Sequence, residues 1–355
     1  MKQASPINPA LCAKCFVNQG LKLDAERIGV EQDGACPHCS ATDGRKLDKD
    51  LIETLAFRFF VRGTYHRTTY RGAPVVQMNE QHYRKTDLKV PESLQPDVAL
   101  LEEAGRIGFF YYGPRLWMVG EVEPLKALQD ERQKAGVVQR ILDAYPRLRF
   151  GREELFYRLR KAPKHPAAGD EYDSPPDSFL GTYRFDSPSL PILYASQDLE
   201  VCVHECRVTV EDDLYVATLR PKRDLQLLDL TEVVQDDATE FESLDIAVHM
   251  LFLAGAHSYE ISRDIASAAD AAGLDGIVYP SYFSVVRTGR MPIETAYGIS
   301  IRRFKGHEAH AKAQIIPNLA LFGRPVKTGS IAMECVNRLV LTRIAYDGVF
   351  GPVEY

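Results

Sequence analysis

The chain has 355 residues, a formal net charge of −6, 45% hydrophobic and 26% charged residues. This length is typical of two or three domains, and the composition is that of a globular protein. The acidic balance argues against a surface that coats nucleic acid, although it is compatible with a local basic patch. No apolar run reaches the roughly 20 residues of a membrane helix, and no signal peptide core opens the chain. We therefore expect a cytoplasmic protein whose cysteines are reduced or bind metal.

Two Cys-x-x-Cys pairs, CAKC and CPHC, lie near the start of the chain. Each pair forms a knuckle that directs two thiolates at one tetrahedral centre, so the two pairs together predict a structural zinc site. The ligands would be Cys12, Cys15, Cys36 and Cys39. Redox-active pairs are the alternative, which the zinc-ribbon spacing disfavours. Because residues 1–47 can bury little core, the metal would supply folding energy to this zinc-ribbon-like segment.

Residues 48–150 predict a small α/β domain without evident chemistry. Helical patterns in ESLQPDVALLEEAGRIG and EPLKALQDERQKAGVVQRILDAY flank the aromatic, strand-like GFFYYGPRLWMVG. Before them, LIETLAFRFFVRGTYHRTTYRG mixes arginines with aromatic residues. That segment could bind phosphate or nucleic acid, and the zinc ribbon could contact nucleic acid as well. A domain surface whose charges are satisfied is the favoured interpretation, since the net charge does not support nucleic-acid binding.

The pattern changes over residues 151–355, where short strands are interrupted by a few helices. The predicted strands are ELFYRLRKAP, ILYAS, LYVATLRP, LQLLDL, DGIVYPS, AYGISIRRF and NRLVLTRIAY. The predicted helices begin near VCVHEC, FESLDIAVHMLFLAG and SYEISRDIASAADAAG, and Gly273 is a good cap for the last. Since regular βαβ units are missing, the sequence predicts an α+β fold with a largely antiparallel sheet.

Polar residues of this region have ordinary structural explanations when each is taken singly, but their order resembles the RES family, named for an Arg, a Glu and a Ser. The matching stretches are LFYRLR (155–160), GTYRFDSPSLPILYAS (181–196), VCVHECR (201–207) and DGIVYPSYFS (275–284). The resemblance covers roughly 150–305 and implies an ADP-ribosyltransferase-like fold. Characterised members act on NAD as toxins that cleave it, phosphorolyse it or transfer its ADP-ribose, and they are often paired with an antitoxin.

The resemblance assigns roles to particular residues of this chain. Glu205 matches the family's helix Glu, Arg158 its first-strand Arg and Ser281 its late Ser, and these three form the expected catalytic set. The expected NAD-binding residues are Arg158, Arg184, Tyr194 and Ser281, with Tyr157 and Tyr279 beside them.

Two departures from the family pattern concern the nucleotide contacts. Asp186 stands where the family usually has Asn, so an amide donor has become an anion. A family Gly-x-Asn segment near the end is not recognisable, and TGRMPIETAYG stands where we would expect it.

The chemistry of NAD cleavage fits these residue types. Loss of nicotinamide creates an oxocarbenium-like ribosyl cation, which a carboxylate such as Glu205 stabilises. Guanidinium groups bind a pyrophosphate bidentately, and an aromatic ring such as Tyr194 stacks on the cationic nicotinamide. Neither a Rossmann nor a Walker A motif is present, so NAD would be a consumed substrate and not a recycled cofactor.

The sequence therefore predicts an NAD glycohydrolase or phosphorylase that acts as a toxin or defence effector. One alternative is a mono-ADP-ribosyltransferase that modifies a protein or nucleic acid, and another is a non-catalytic NAD-sensing module carrying a zinc ribbon. A metal site around Cys202, His204 and Cys206 is disfavoured, because on a helix His204 points about 200° away from Cys202. We expect these two helix cysteines to be buried as small hydrophobic residues.

Overall fold

The computed structural model describes residues 6–80, 85–236, 238–291 and 293–355. The chain divides into two compact units: unit 1 comprises Met1–Thr68, Gly72–Pro114 and Tyr346–Tyr355, and unit 2 comprises Thr69–Arg71 and Arg115–Ala345. This division differs from the boundaries expected at 47 and 150. A single hydrophobic core of unit 1 includes residues on both sides of position 47, such as Leu21 and Ile52, so the zinc-ribbon-like segment is not separate.

Unit 1 contains three helices and six short strands in its described part. The helices are α1 (Gln19–Ile28), α2 (Lys49–Ala56) and α3 (Gln95–Gly105). The strands are β1 (Leu11–Cys12), β2 (Lys46–Leu47), β3 (Tyr65–His66), β4 (Ala73–Pro74), β5 (Val76–Asn79) and β6 (Gly108–Tyr111). Asn18 and Asp48 cap α1 and α2, because their side chains accept backbone N–H groups of the first turns.

The arginine-rich aromatic segment after α2 contributes to the core of unit 1. Its π-helical turn, Phe57–Val61, buries Phe60, whose ring stacks on Phe109 at 4.1 Å between centroids. The Arg58 guanidinium lies 3.5 Å from the buried carboxylate of Asp24. These contacts agree with the structural interpretation of the segment rather than with phosphate binding.

Unit 2 contains seven helices and ten strands in its described part. The helices are α4 (Glu123–Ala127), α5 (Lys134–Ala144), α6 (Leu199–Glu205), α7 (Leu244–Leu253), α8 (Tyr259–Ala271), α9 (Ser284–Thr288) and α10 (Glu308–Lys312). The strands are β7 (Arg147–Phe150), β8 (Phe156–Lys161), β9 (Ile192–Ser196), β10 (Leu214–Pro221), β11 (Leu225–Asp229), β12 (Gly276–Pro280), β13 (Thr295–Ala296), β14 (Ile299–Ser300), β15 (Pro317–Phe322) and β16 (Ile331–Leu339).

Eight strands of unit 2 form one sheet in the order β16-β10-β8-β9-β15-β12-β11-β7. Every pairing is antiparallel except that of β11 with β12. The predicted α+β class with a largely antiparallel sheet is therefore confirmed. In the described part of the chain, no helix combines the length and the hydropathy that a membrane crossing requires.

Strands β8 and β9 separate almost at once, and this separation positions the site described below. They share a single pairing, Tyr157 with Ser196, whereas β9 pairs with β15 along five positions. Backbone groups beyond that pairing need other partners, since buried peptide groups are rarely left unpaired. Side chains can therefore enter the gap between the two strands.

Candidate active site

A cavity of about 600 Å³ lies in unit 2 beside the gap between β8 and β9. It is lined by residues from both strands, from α6 and from the loops that follow α7 and β12. The lining residues are Arg158, Leu159, Arg160, Pro175, Tyr183, Arg184, Tyr194, Ala195, Ser196, Cys202, Glu205, Cys206, Arg207, Ala254, Gly255, Ala256, Tyr259, Tyr279, Tyr282, Phe283 and Asn318. This volume is within the usual range of small-molecule sites.

Glu205, the last residue of α6, is held by two donors at one of its carboxylate oxygens. The Ser281 hydroxyl and the Asn318 amide each donate a hydrogen bond of 2.7 Å to Oε1. The residue is nevertheless exposed. Among the described residues both hydrogen bonds of the carboxylate fall on Oε1, which leaves Oε2 accessible from the cavity. The partial negative charge at the carboxyl end of the helix adds to the carboxylate, so the spot favours a cation.

Arg158 fills the gap between the separating strands. Its guanidinium donates to the backbone carbonyls of Tyr194, at 2.5 Å, and Asp173, at 2.9 Å. Burial and, to a smaller extent, the nearby charge of Arg160 lower the pKa of Arg158 to about 10. Arg158 therefore has two functions: it replaces part of the missing strand pairing and brings a positive charge to the cavity wall.

Arg184 and Tyr194 both line the cavity. Arg184 donates to the carbonyls of Leu251, at 3.2 Å, and Ala254, at 3.0 Å, and its guanidinium lies 4.9 Å from the centre of the Tyr259 ring. Burial raises the pKa of Tyr194. A neutral Tyr194 hydroxyl accepts the Phe185 N–H at 2.9 Å, so the ring and not the hydroxyl is available to a ligand.

Asp186 stabilises the loop of residues 181–186, which carries Arg184. Its two carboxylate oxygens accept the backbone N–H groups of Gly181, at 2.6 Å, and Tyr183, at 2.8 Å. The side chain is fully buried. Because the anion is satisfied by the loop backbone, the exchange of the family's usual Asn for Asp leaves no uncompensated carboxylate in the cavity.

Of the remaining predicted residues, Tyr279 and Ser281 lie at the site and Tyr157 does not. Tyr279 lines the cavity, and burial followed by the charge of Glu205 raises its pKa well above the ordinary value. Ser281 is buried directly behind Glu205. Tyr157 is not among the lining residues, and it packs instead against the hydrophobic cluster that contains Cys202.

Asn318 is the residue that sequence reasoning missed. It lies in β15, within the apolar run IPNLALF, and is buried. A buried amide in an otherwise apolar strand was the available signal, since such a group requires hydrogen-bond partners. The family's Gly-x-Asn segment was not recognisable at TGRMPIETAYG, and the asparagine that donates to Glu205 lies further along the chain.

The two cysteines of α6 face strand β8. Cys202 Sγ donates to the Tyr157 carbonyl at 3.4 Å, and Cys206 Sγ lies 3.8 Å from the Leu159 carbonyl oxygen. Burial raises the pKa of Cys202 to about 12. The ring of His204 stacks on Phe283 at 5.7 Å instead of joining the thiols. These contacts agree with the expected role of the cysteines as small buried residues.

The four N-terminal cysteines of unit 1 converge as a second site. Their Sγ atoms all lie within 4.8 Å of one another. The separations are 3.5 Å for Cys12 to Cys39, 3.6 Å for Cys15 to Cys36 and 3.8 Å for Cys12 to Cys15. The edge of a tetrahedral zinc–thiolate site is about 3.8 Å, from Zn–S bonds of about 2.3 Å. The four residues therefore fit a single metal ion.

Comparisons with known proteins bear on unit 2. Residues 155–292 match the model of the RES domain family, inside the range 150–305 expected from the sequence. No curated protein matches the chain. One similar solved structure is a chain from the M. tuberculosis MbcT-MbcA toxin-antitoxin complex, which is 16% identical, with 59% of this chain and 93% of that chain covered and a TM-score of 0.35.

Proposed function

Because residues 155–292 match the RES domain family, we propose that the chain is an NAD-degrading enzyme that cleaves the bond between nicotinamide and ribose. It acts as a glycohydrolase or phosphorylase and serves as a toxin or defence effector. One observation carries this proposal: the Glu205 carboxylate is fixed by Ser281 and Asn318 at one oxygen and exposed to a cavity whose lining includes Arg158 and Arg184.

In this proposal the arginines bind the pyrophosphate of NAD. Arg184 and Arg158 each use donors on backbone carbonyls, which fixes the direction of the guanidinium and leaves the positive charge in the cavity. Preorganised charges of this kind bind phosphate oxygens without a further ordering cost. The ring of Tyr194 offers a stacking surface for nicotinamide, since its hydroxyl is engaged with the loop.

Glu205 acts on the ribose whose bond to nicotinamide breaks. As nicotinamide leaves, the bonding electron pair moves to its ring nitrogen and positive charge develops on the ribose. A carboxylate aimed at that charge stabilises the transition state more than the ground state, which is the requirement for catalysis. Ser281 and Asn318 are positioning residues in this scheme, because they act through Glu205.

Exposure of Glu205 favours access of water, phosphate or a larger acceptor to the reacting carbon. A mono-ADP-ribosyltransferase is therefore the second candidate, since it shares every NAD contact and differs in the acceptor. A non-catalytic NAD sensor is the third. It is less well supported, because the Asp186 anion, which departs from the family's usual Asn, is satisfied within its own loop.

For unit 1 we propose a structural zinc ion held by Cys12, Cys15, Cys36 and Cys39. Burial raises the pKa of the Cys12 and Cys15 thiols, so a cation is needed to keep them as thiolates. The metal would supply folding energy and no reaction step, because all four positions of a tetrahedral site are filled by protein.

The direct experiment is incubation of purified protein with NAD, with and without phosphate, followed by chromatography of the products. Free nicotinamide with ADP-ribose indicates hydrolysis, and nicotinamide with ADP-ribose 1″-phosphate indicates phosphorolysis. Labelled NAD that ends on a protein or nucleic acid indicates transfer. Saturable binding without nicotinamide release would instead support the sensor and contradict the enzyme.

The toxin role has a separate test in cells. Expression of the wild-type chain should deplete NAD and stop growth, and co-expression of an antitoxin partner should restore it. Expression of Glu205→Gln at the same level should leave NAD and growth unchanged. Growth arrest by both proteins would show that toxicity does not depend on the proposed chemistry.

A further inference from the structure

Two further arginines line the cavity and have no role in the scheme above. Arg160 lies in β8, two residues after Arg158, and Arg207 follows the end of α6. The neighbouring cation, Lys161, is neutralised by Asp212 at 3.0 Å. Over the described ranges of the chain, neither Arg160 nor Arg207 forms an ion pair with a carboxylate, so two guanidinium charges remain uncompensated.

The two elements that carry these arginines, β8 and the end of α6, are in contact. The Cys206 thiol contacts the Leu159 carbonyl at 3.8 Å, and Lys161 donates to the Arg207 carbonyl at 3.2 Å. These contacts lay the end of α6 against the stretch of β8 that contains Arg160. Since Arg158 is also close to Arg160, positive charge accumulates here, and Glu205 is the one carboxylate among the described residues that line the cavity.

The backbone conformation of Arg207 is unusual for a residue with a long side chain. Its φ angle is +46°, in the left-handed region that favours glycine and strains other residues. The residue lies two positions after the end of α6, and its N–H donates to the His204 carbonyl at 3.0 Å. Glycine would make this turn without strain, yet the position has a long cationic side chain that lines the cavity. Strain of this kind concentrates at functional sites.

We propose that Arg160 and Arg207 form a phosphate subsite, distinct from the pyrophosphate contacts of Arg158 and Arg184. The proposal rests on the function proposed above and extends it. A planar guanidinium matches the geometry of a phosphate group, and two of them balance its double negative charge. The phosphate has two sources: inorganic phosphate as the acceptor, or the 2′-phosphate of NADP as part of the substrate.

With inorganic phosphate, the reaction balances without another reagent. A phosphate oxygen forms a bond to C1″ of the ribose as the bond from C1″ to the nicotinamide nitrogen breaks. The electron pair of the broken bond neutralises the pyridinium, and the products are nicotinamide and ADP-ribose 1″-phosphate. Any proton left on the phosphate is released to solvent. With NADP, the subsite contributes to binding and the acceptor is water.

The test uses the full chain and three variants. Arg160→Gln and Arg207→Gly remove the proposed contacts. Because glycine adopts the φ angle of residue 207 without strain, Arg207→Gly leaves the turn intact, and a lost response to phosphate reports on the side chain. Arg140→Gln, on the exposed face of α5, is the matched control for loss of one positive charge. Rates of NAD and NADP loss are measured against phosphate at constant ionic strength, and thermal unfolding is measured with and without phosphate.

If inorganic phosphate binds the subsite, we expect phosphate to accelerate NAD loss. If the 2′-phosphate of NADP binds it, we expect NADP to be consumed in preference to NAD. Each variant should raise the half-saturating phosphate concentration, or the KM for NADP, about tenfold or more, and Arg140→Gln should not. Equal responses of all proteins, or no effect of either phosphate source on an active enzyme, would overturn the subsite. If no dinucleotide is consumed but phosphate stabilises the wild type and not Arg207→Gly, the subsite stands and the proposed function fails.

Discussion

Replacement of Glu205 by glutamine removes a charge while it preserves the geometry of the site. The glutamine carbonyl can still accept hydrogen bonds from Ser281 and Asn318, each now 2.7 Å from Oε1. Opposite charges about 4 Å apart interact by about 4 kcal/mol at an effective dielectric constant of about 20. Because Glu205 is exposed, solvent screening reduces this to about 2–3 kcal/mol. The rate of NAD loss should therefore fall about 30- to 150-fold.

The assay is release of nicotinamide at saturating NAD, so that the fall is measured in kcat. Glu211→Gln is the matched control, since this exposed glutamate lies outside the cavity and has no part in the scheme. Thermal unfolding of Glu205→Gln should coincide with that of the wild type, because no buried contact is lost. A variant that consumes NAD at the wild-type rate would refute the role of Glu205.

Three further changes test other parts of the molecule. Asn318→Ala should lower kcat about tenfold or more with little change in KM, because one charge-assisted hydrogen bond to Glu205 is lost; exposed Asn337→Ala is its control. Cys36→Ser should abolish bound zinc in elemental analysis and lower the Tm as a chelator does, whereas exposed Cys335→Ser should change neither. Asp186→Ala should lower the free energy of unfolding in urea by about 2 kcal/mol, since the N–H groups of Gly181 and Tyr183 lose their buried acceptor; an unchanged midpoint would contradict this.

Features that depend on residues close together in the chain were predictable. The helix that precedes Gly273 was expected from its periodicity, and it is α8, with Gly273 at φ +78° just beyond its end. Two cysteine knuckles at zinc-ribbon spacing predicted the four-thiol cluster. The match of residues 155–292 confirms the family resemblance, which was built on short motifs in a fixed order. Local geometry and motif order are encoded over a few residues, and sequence patterns report them directly.

Boundaries and lengths were less accurate. The strand expected at NRLVLTRIAY overlaps β16 only in its first three residues, because pairing with β10 places β16 at Ile331–Leu339. The long helical pattern from 123 to 145 became two helices, α4 and α5. The C-terminal segment Tyr346–Tyr355 joined unit 1, although the sequence placed it in the last domain. Close approach of the Gly63 and Gly351 backbones, where no Cβ fits, is a long-range fact that no local pattern indicates.

By itself, the sequence determined the α+β class, the four thiols and the set of residue types that suits NAD chemistry. Only the tertiary structure decided how these residues act on one another. Ser281 and Asn318 lie 76 and 113 positions from Glu205, and the sheet order brings both to one oxygen of its carboxylate. Because β8 and β9 pair at one position, the Arg158 guanidinium links the two strands through the Tyr194 carbonyl and also places a positive charge at the cavity. Such roles depend on which distant strands become neighbours, and that choice is made by packing of the whole core.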